Sequence, residues 1–223
     1  PPVMPFHRDQ GRRLQEFLLP IVGELERILF PGSFLVSFSM DRLAPRMGCA
    51  IEDAGFEIRG QWGWQHDGQP KAQSLARYVQ HLDCPQEEKD RLVDEMRTWK
   101  TAQPKPQYEP MIVAMKPTEG NFVENWGRWG VGLMNFEGHQ PGQFPGTLLP
   151  FETPTKTERG GSEHLTPKPV ALIGENIRRL SQPDQTVIDP FMGSGSHGEA
   201  ALRSGRRFVG IEKDCNYFKH AKQ

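Results

Sequence analysis

Apolar residues recur at three- and four-residue steps over residues 14–29, where Leu14, Phe17, Leu18, Ile21, Val22, Leu25, Ile28 and Leu29 form one stripe. That period belongs to a helix with one face turned to a core, and Pro20 inside it predicts a kink or a restart. Pro31-Gly32 then turns the chain into Ser33–Ser39, a short apolar run with the pattern of a buried strand. Residues 41–54 read as the next helix, with Gly55 as its C-terminal cap. From Phe56 to Trp64 polar and apolar residues alternate as in a strand, which puts Trp62 and Trp64 on one face, where core packing is expected rather than base stacking.

The rhythm changes after residue 65. Helices are expected at about 71–82 and 86–100, the second with Leu92, Val93, Met96 and Trp99 as its apolar edge and a charged face turned to solvent. Tyr108–Pro117 returns to strand character. Residues 118–163 are rich in glycine, proline and polar side chains, and their weak apolar periodicity predicts an irregular excursion along the ligand edge of a sheet. Lys168-Pro169 opens a further helix, with Val170, Ile173, Ile177 and Leu180 on one side.

The most informative pattern lies near the C-terminus. Thr186-Val187-Ile188-Asp189 is an apolar run ending in an acid, and Pro190-Phe191-Met192-Gly193-Ser194-Gly195-Ser196 is a glycine turn. A helical segment follows, and Arg207–Glu212 is a second apolar run that also ends in an acid. This is the grammar of a βαβ nucleotide-binding unit. Gly193 and Gly195 allow a sharp turn and a close approach of ligand to backbone. Asp189 and Glu212 fall at the carboxyl ends of the two strands, where open α/β sheets bind ligands. Glu212 stands 23 residues after Asp189, near the spacing at which an acid reaches a ribose.

The ligand class is narrowed by what the turn lacks. His197-Gly198 puts the third glycine out of place for a dinucleotide fingerprint, and no P-loop lysine is present. A nucleoside without a pyrophosphate fits better, and S-adenosyl-L-methionine is the commonest such cofactor. An ordinary strand-turn-helix without a ligand would satisfy the glycines alone.

Composition adds bounds. With 223 residues the chain can bury one good core, and a mean hydropathy of −0.62 describes a water-facing globule. No apolar run approaches the roughly 20 residues of a membrane span, and no basic-then-apolar leader opens the sequence, so a cytoplasmic protein with no membrane partner is expected. A formal charge of −1 argues against a non-specific nucleic-acid coat but permits a local basic face. Cys49, Cys84 and Cys215 have no C-x-x-C spacing and the histidines show no ligand pairing, which predicts reduced thiols and no metal.

With these residues in hand, a specific resemblance emerges. Asp189-Pro190-Phe191-Met192-Gly193-Ser194-Gly195, preceded by His164-Leu165-Thr166-Pro167-Lys168-Pro169 and followed by Val209-Gly210-Ile211-Glu212, resembles the cofactor half of bacterial and phage DNA amino-methyltransferases. Cofactor motifs placed last resemble the permuted β class. Phe56–Trp64 is similar to the family's G-F-E-I-R-D-x-I-x-W, and Tyr108–Pro117 to its E-P-I-x-x-A-x-K-P strand. Ser196-His197 depart from the two threonines common there.

The resemblance implies an α/β fold: a three-layer Rossmann-like methyltransferase fold, its sheet mostly parallel with one antiparallel strand, in circularly permuted order. Residues 1–64 and 108–117 would form the catalytic half and 164–223 the cofactor half, with 65–107 and 118–163 as insertions used in target recognition. His164, Leu165, Thr166 and Lys168 would hold the methionine end of S-adenosyl-L-methionine. Asp189, Phe191, Gly193, Ser194, Gly195 and Ser196 would curl around it, with Glu212 and Lys213 at the ribose.

The implied reaction is methyl transfer to the exocyclic amine of a flipped base in double-stranded DNA, adenine favoured over cytosine. In the family a D-P-P-Y or S-P-P-Y motif accepts the amine hydrogens so that its lone pair can attack in line. Pro1 and Pro2 would be the rear of that motif, or else a proline-rich terminus without a role. Arg128, Lys156 and Arg159 would meet DNA phosphates, or an arginine would read guanine. Family habit also implies a homodimer. The competing readings are a homologue that binds cofactor or DNA without catalysis, and a methyltransferase of RNA or a small molecule.

Overall fold

The computed structural model describes residues 9–68, 71–102, 104–137, 144–155 and 168–222. In chain order the elements begin with α1 (Gln10–Ile28), β1 (Phe34–Phe38), α2 (Ala44–Asp53) and β2 (Glu57–Gln65). A 3-10 helix (Ala76–His81) and α3 (Gln86–Glu95) precede β3 (Tyr108–Met115), α4 (Phe122–Trp129) and β4 (Leu148–Pro150). The last elements are α5 (Val170–Leu180), β5 (Thr186–Asp189), α6 (Ser196–Arg203), β6 (Arg207–Gly210) and α7 (Cys215–Ala221).

Strand period two explains the layering. On β3, Ile112 and Ala114 enter a core with Leu14, Leu18, Met47 and Ile51 of α1 and α2, while Met111 and Val113 enter another with Trp62, Trp64 and Leu172 of α5. β1 repeats the division, with Leu35 on the first side and Phe34, Val36 and Phe38 on the second. The sheet is therefore sandwiched between α1/α2 and α5, which makes three layers. Its order is β1-β3-β2-β4, with β3 antiparallel to β1 and β4 parallel to β2. β5 and β6 pair in parallel as a second sheet. Helix α5 serves both sheets: Leu172 faces the first, and Ile173 and Ile177 pack with Ala200 and Ala201 of α6 over Val187 and Phe208.

Residues 67–108 form a compact unit of their own. It closes through mutual bonds between Gln73 and Thr101, each 3.0 Å, and around the buried Val79. Among the described residues no helix is long and apolar enough to cross a membrane.

Four sequence expectations are corrected. Helix α1 runs through Pro20 as one 19-residue element, so of the kink or restart expected there the restart does not occur, and the proline lies on the exposed face. The helix expected at 71–82 is only the 3-10 turn at Ala76–His81, and the one expected to reach residue 100 stops at Glu95, leaving Trp99 74% exposed. No residue of α3 is buried, so no packing favours further turns. Finally, the supposedly irregular 118–163 contains α4 and β4. Helix α4 opens with a complete capping box in which Asn121 accepts from Val123 and Glu124, and Glu124 accepts from the Asn121 amide.

Candidate active site

The turn after β5 is stitched to the end of β6 by its own backbone. Ile211 N–H donates to Asp189 O (2.9 Å), Met192 N–H to Ile211 O (3.0 Å), and Gly195 N–H to Met192 O (3.0 Å). Gly193 and Gly195 both have positive φ, at 56° and 88°. At Gly195 a β-carbon would also lie 2.9 Å from Cβ of Ala221 on α7, so the turn fits only without a side chain there. Gly198 has the same role one turn along α6, where a β-carbon would meet the Phe208 ring at 2.9 Å.

Glu212 sits at the centre of this stitching. Its Oε2 accepts from the Gly193 amide (2.9 Å) and its Oε1 from the Asp214 amide (2.8 Å), so the carboxylate has one fixed orientation. Each oxygen keeps a further lone pair. Exposed apolar surface flanks it, with Ile211 at 55% and Phe191 at 36%, the latter 6.1 Å from the Phe17 ring of α1. Ser194 is half-buried, Ser196 is the first residue of α6, and Lys213 is exposed beside Glu212.

A second group of side chains gathers at the carboxyl ends of β1, β2 and β5 and the amino end of β3. Asp189 Oδ1 accepts from the Phe191 amide (2.8 Å). Lys168 Nζ donates to both oxygens of Glu109 (2.7 and 2.8 Å) and lies 5.3 Å from the Phe38 ring centroid and 5.5 Å from that of Trp64. Trp64 is itself tied down, its Nε1–H donating to Phe151 O (2.8 Å). His197 Nδ1 approaches Asp189 Oδ2 at 3.1 Å without hydrogen-bond alignment, which leaves Oδ2 buried and without a hydrogen-bond partner. Burial pushes the His197 imidazole below its ordinary pKa, with Lys168 adding to the effect and Asp189 opposing it.

The structure thus brings together Lys168, Asp189, Phe191, Gly193, Ser194, Gly195, Ser196, Glu212 and Lys213. Pro1, Pro2, Lys156, Arg159, His164, Leu165 and Thr166 lie outside the described residues. Arg128 lies on α4, bonded to Glu119 (2.6 Å) and stacked over Trp129 (4.9 Å). Glu109, Phe38, Trp64 and His197 were missed as site residues by sequence reasoning. The available signal was a lone acid, Glu109, opening a strand whose next residues are all buried.

Known proteins resemble this chain in sequence and in fold. A family model for N6/N4 enzymes, described as DNA methylase, matches residues 8–223. The Type II methyltransferase M.HindIII of Haemophilus influenzae is 26% identical over 223 residues, covering 96% of this chain and 70% of that protein. The crystal structure of an M1.HpyAVI-SAM complex superposes with a TM-score of 0.64 at 22% identity, over 97% of this chain and 83% of the other. PvuII DNA methyltransferase, cytosine-N4-specific, gives a TM-score of 0.61 at 17% identity, over 100% of this chain and 76% of the other. At such identities the two structures speak for the fold, and the match of the family model along nearly the whole sequence speaks for descent. The chain belongs to the N6/N4 DNA methylase family.

Proposed function

We propose that the chain binds S-adenosyl-L-methionine in the turn between β5 and β6 and directs its methyl group to an exocyclic amine of a base in duplex DNA, adenine N6 first. The observation that carries this reading is the Gly193–Glu212 bond, which presents a carboxylate in one fixed pose beside a turn whose Gly193 and Gly195 carry no side chains. Such a pair of acceptor oxygens suits a ribose diol, and exposed Phe191 and Ile211 offer apolar surface to a purine. The M1.HpyAVI structure is a complex with SAM.

When bound, S-adenosyl-L-methionine supplies an electrophilic methyl group whose sulfur departs as a neutral thioether. Glu212 would accept from the ribose hydroxyls, and Lys168, with one N–H beyond the two given to Glu109, would donate to the carboxylate of the methionine end. Asp189 braces the turn through Phe191. That methyl group would go to the amine nitrogen of the base, whose proton would pass to water. Pro1 and Pro2 are proposed as the rear of the motif that accepts the amine hydrogens, and Arg128, Lys156 and Arg159 as phosphate contacts. Residues 65–107 and 118–163 are proposed to carry target recognition.

The test is incubation with tritiated cofactor and duplex DNA, followed by digestion to nucleosides. Label in N6-methyldeoxyadenosine is the expected result. Label in N4-methyldeoxycytidine would move the reading to cytosine, the base named for PvuII methyltransferase. Label on no DNA would favour a homologue that binds without catalysis.

A further inference from the structure

His197 is the second residue of α6, and the groups facing it come from several elements. Asp189 approaches from β5 at 3.1 Å, Phe38 stands edge-on from β1 at 6.1 Å, and Lys168 approaches from the entrance to α5. Behind Lys168, Glu109 on β3 holds its ammonium with both oxygens. With a neutral imidazole the cluster has two carboxylates against one ammonium. A proton on His197 would balance it. With 28% of its side chain exposed the ring is only partly withdrawn from water, and that burial, with the nearby ammonium, outweighs the pull of Asp189 and lowers the imidazole's pKa, so the cluster keeps its negative surplus at neutral pH.

This surplus matters because the methyl donor and its spent product differ by one charge. The donor carries a sulfonium, the product a neutral thioether, and their amino and carboxylate groups are the same. We propose that His197 gauges acidity at the donor site: neutral, it leaves a net negative cluster that favours the sulfonium donor over the thioether product; protonated, it removes that preference. The inference rests on the S-adenosyl-L-methionine reading of the site. By linkage the effect is reciprocal, so a bound sulfonium must oppose protonation of His197 more than a bound thioether does.

The experiment follows the His197 imidazole by NMR titration in the full chain, free and saturated with S-adenosylmethionine or S-adenosylhomocysteine. The donor is expected to move the midpoint further down than the product does, by about half a unit to one unit, which is roughly threefold to tenfold in the ratio of affinities. Calorimetry with both ligands from about pH 5.5 to 8 gives a second readout. The donor-to-product preference is expected to decline toward acid in the wild type and to stay flat in His197→Gln. Equal midpoints with the two ligands overturn the proposal, as does a His197→Gln ratio that keeps the wild-type pH dependence. Absence of heat with either ligand at every pH overturns the cofactor reading and the proposal with it, whereas heat accompanied by equal midpoints overturns the proposal alone.

Discussion

Gly193 donates its backbone N–H to Oε2 of Glu212 at 2.9 Å across 19 residues, so the glycine turn and the end of β6 are one rigid piece. A carboxylate held in this way needs no reorganisation to meet a ligand. Hydrogen bonds to charged groups contribute about 1.5–3 kcal/mol each. Glu212→Ala is therefore expected to weaken binding of the methyl donor roughly tenfold to a hundredfold, and Glu212→Gln less, with the circular dichroism spectrum unchanged. Equilibrium dialysis with labelled donor reads both variants.

Gly195 and Gly23 give opposite expectations for the same substitution. At Gly195 an alanine would be forced to φ 88° and placed against Ala221, whereas at Gly23, inside α1, a β-carbon meets nothing within 4 Å. Gly195→Ala is expected to cost about 1–3 kcal/mol. Gly23→Ala is expected to stabilise by roughly 0.5–1 kcal/mol through the unfolded state. Urea denaturation of the two variants beside the wild type measures the contrast.

The Lys168–Glu109 pair is largely withdrawn from solvent, at 15% and 24% side-chain exposure. Removing one partner strands the other charge, a loss of up to about 3–5 kcal/mol when burial is complete. Lys168→Met is expected to destabilise more than the double variant Lys168→Met/Glu109→Gln, which removes both charges. A thermal melt of the single and double variants checks the coupling.

Acid should act in two windows. The folded His197 pKa lies below its ordinary 6.5, so from about pH 6.5 downwards the unfolded chain takes up a proton that the folded chain refuses, and stability falls with pH until the folded pKa is reached. Glu175 behaves as a depressed carboxylate. Burial would raise its pKa, but hydrogen bonds and charge from Arg178 and Arg179 outweigh that, so its contribution is present above 4.5 and is lost as pH falls through its lowered value. His197→Gln is expected to flatten the first window and leave the second. Denaturant midpoints collected across the pH range test this.

The sequence revealed those elements whose apolar period reports a buried face. The stripe from Leu14 to Leu29 became α1, Ser33–Ser39 became β1, and Phe56–Trp64 and Tyr108–Pro117 became β2 and β3, because tertiary burial and local pattern agree there. Trp62 and Trp64 are in the core, as their alternation implied. Helix α4 was hidden because its packing depends on Asn125, a fully buried polar residue bonded to Pro31 O, Val131 O and the Glu119 amide. Its capping box and the helical spacing of Phe122, Trp126 and Trp129 were the available signals, but the one residue of the helix that is buried, Asn125, is polar. Within the candidate site, the proximity of Asp189, Gly193, Gly195 and Glu212 was legible from spacing along one βαβ unit. The Lys168–Glu109 pair was not, because it joins residues 59 apart through sheet order, which no local pattern records.

On the proposed function, the turn after β5 and the acid after β6 hold the methyl donor. Hydrogen exchange of the full chain, with and without saturating S-adenosylmethionine, tests it most directly. Slowed exchange is expected at the amides of residues 189–197 and 211–214, with the slowing lost in Glu212→Ala. Unchanged exchange in both segments, or slowing confined to other parts of the chain, would contradict the account.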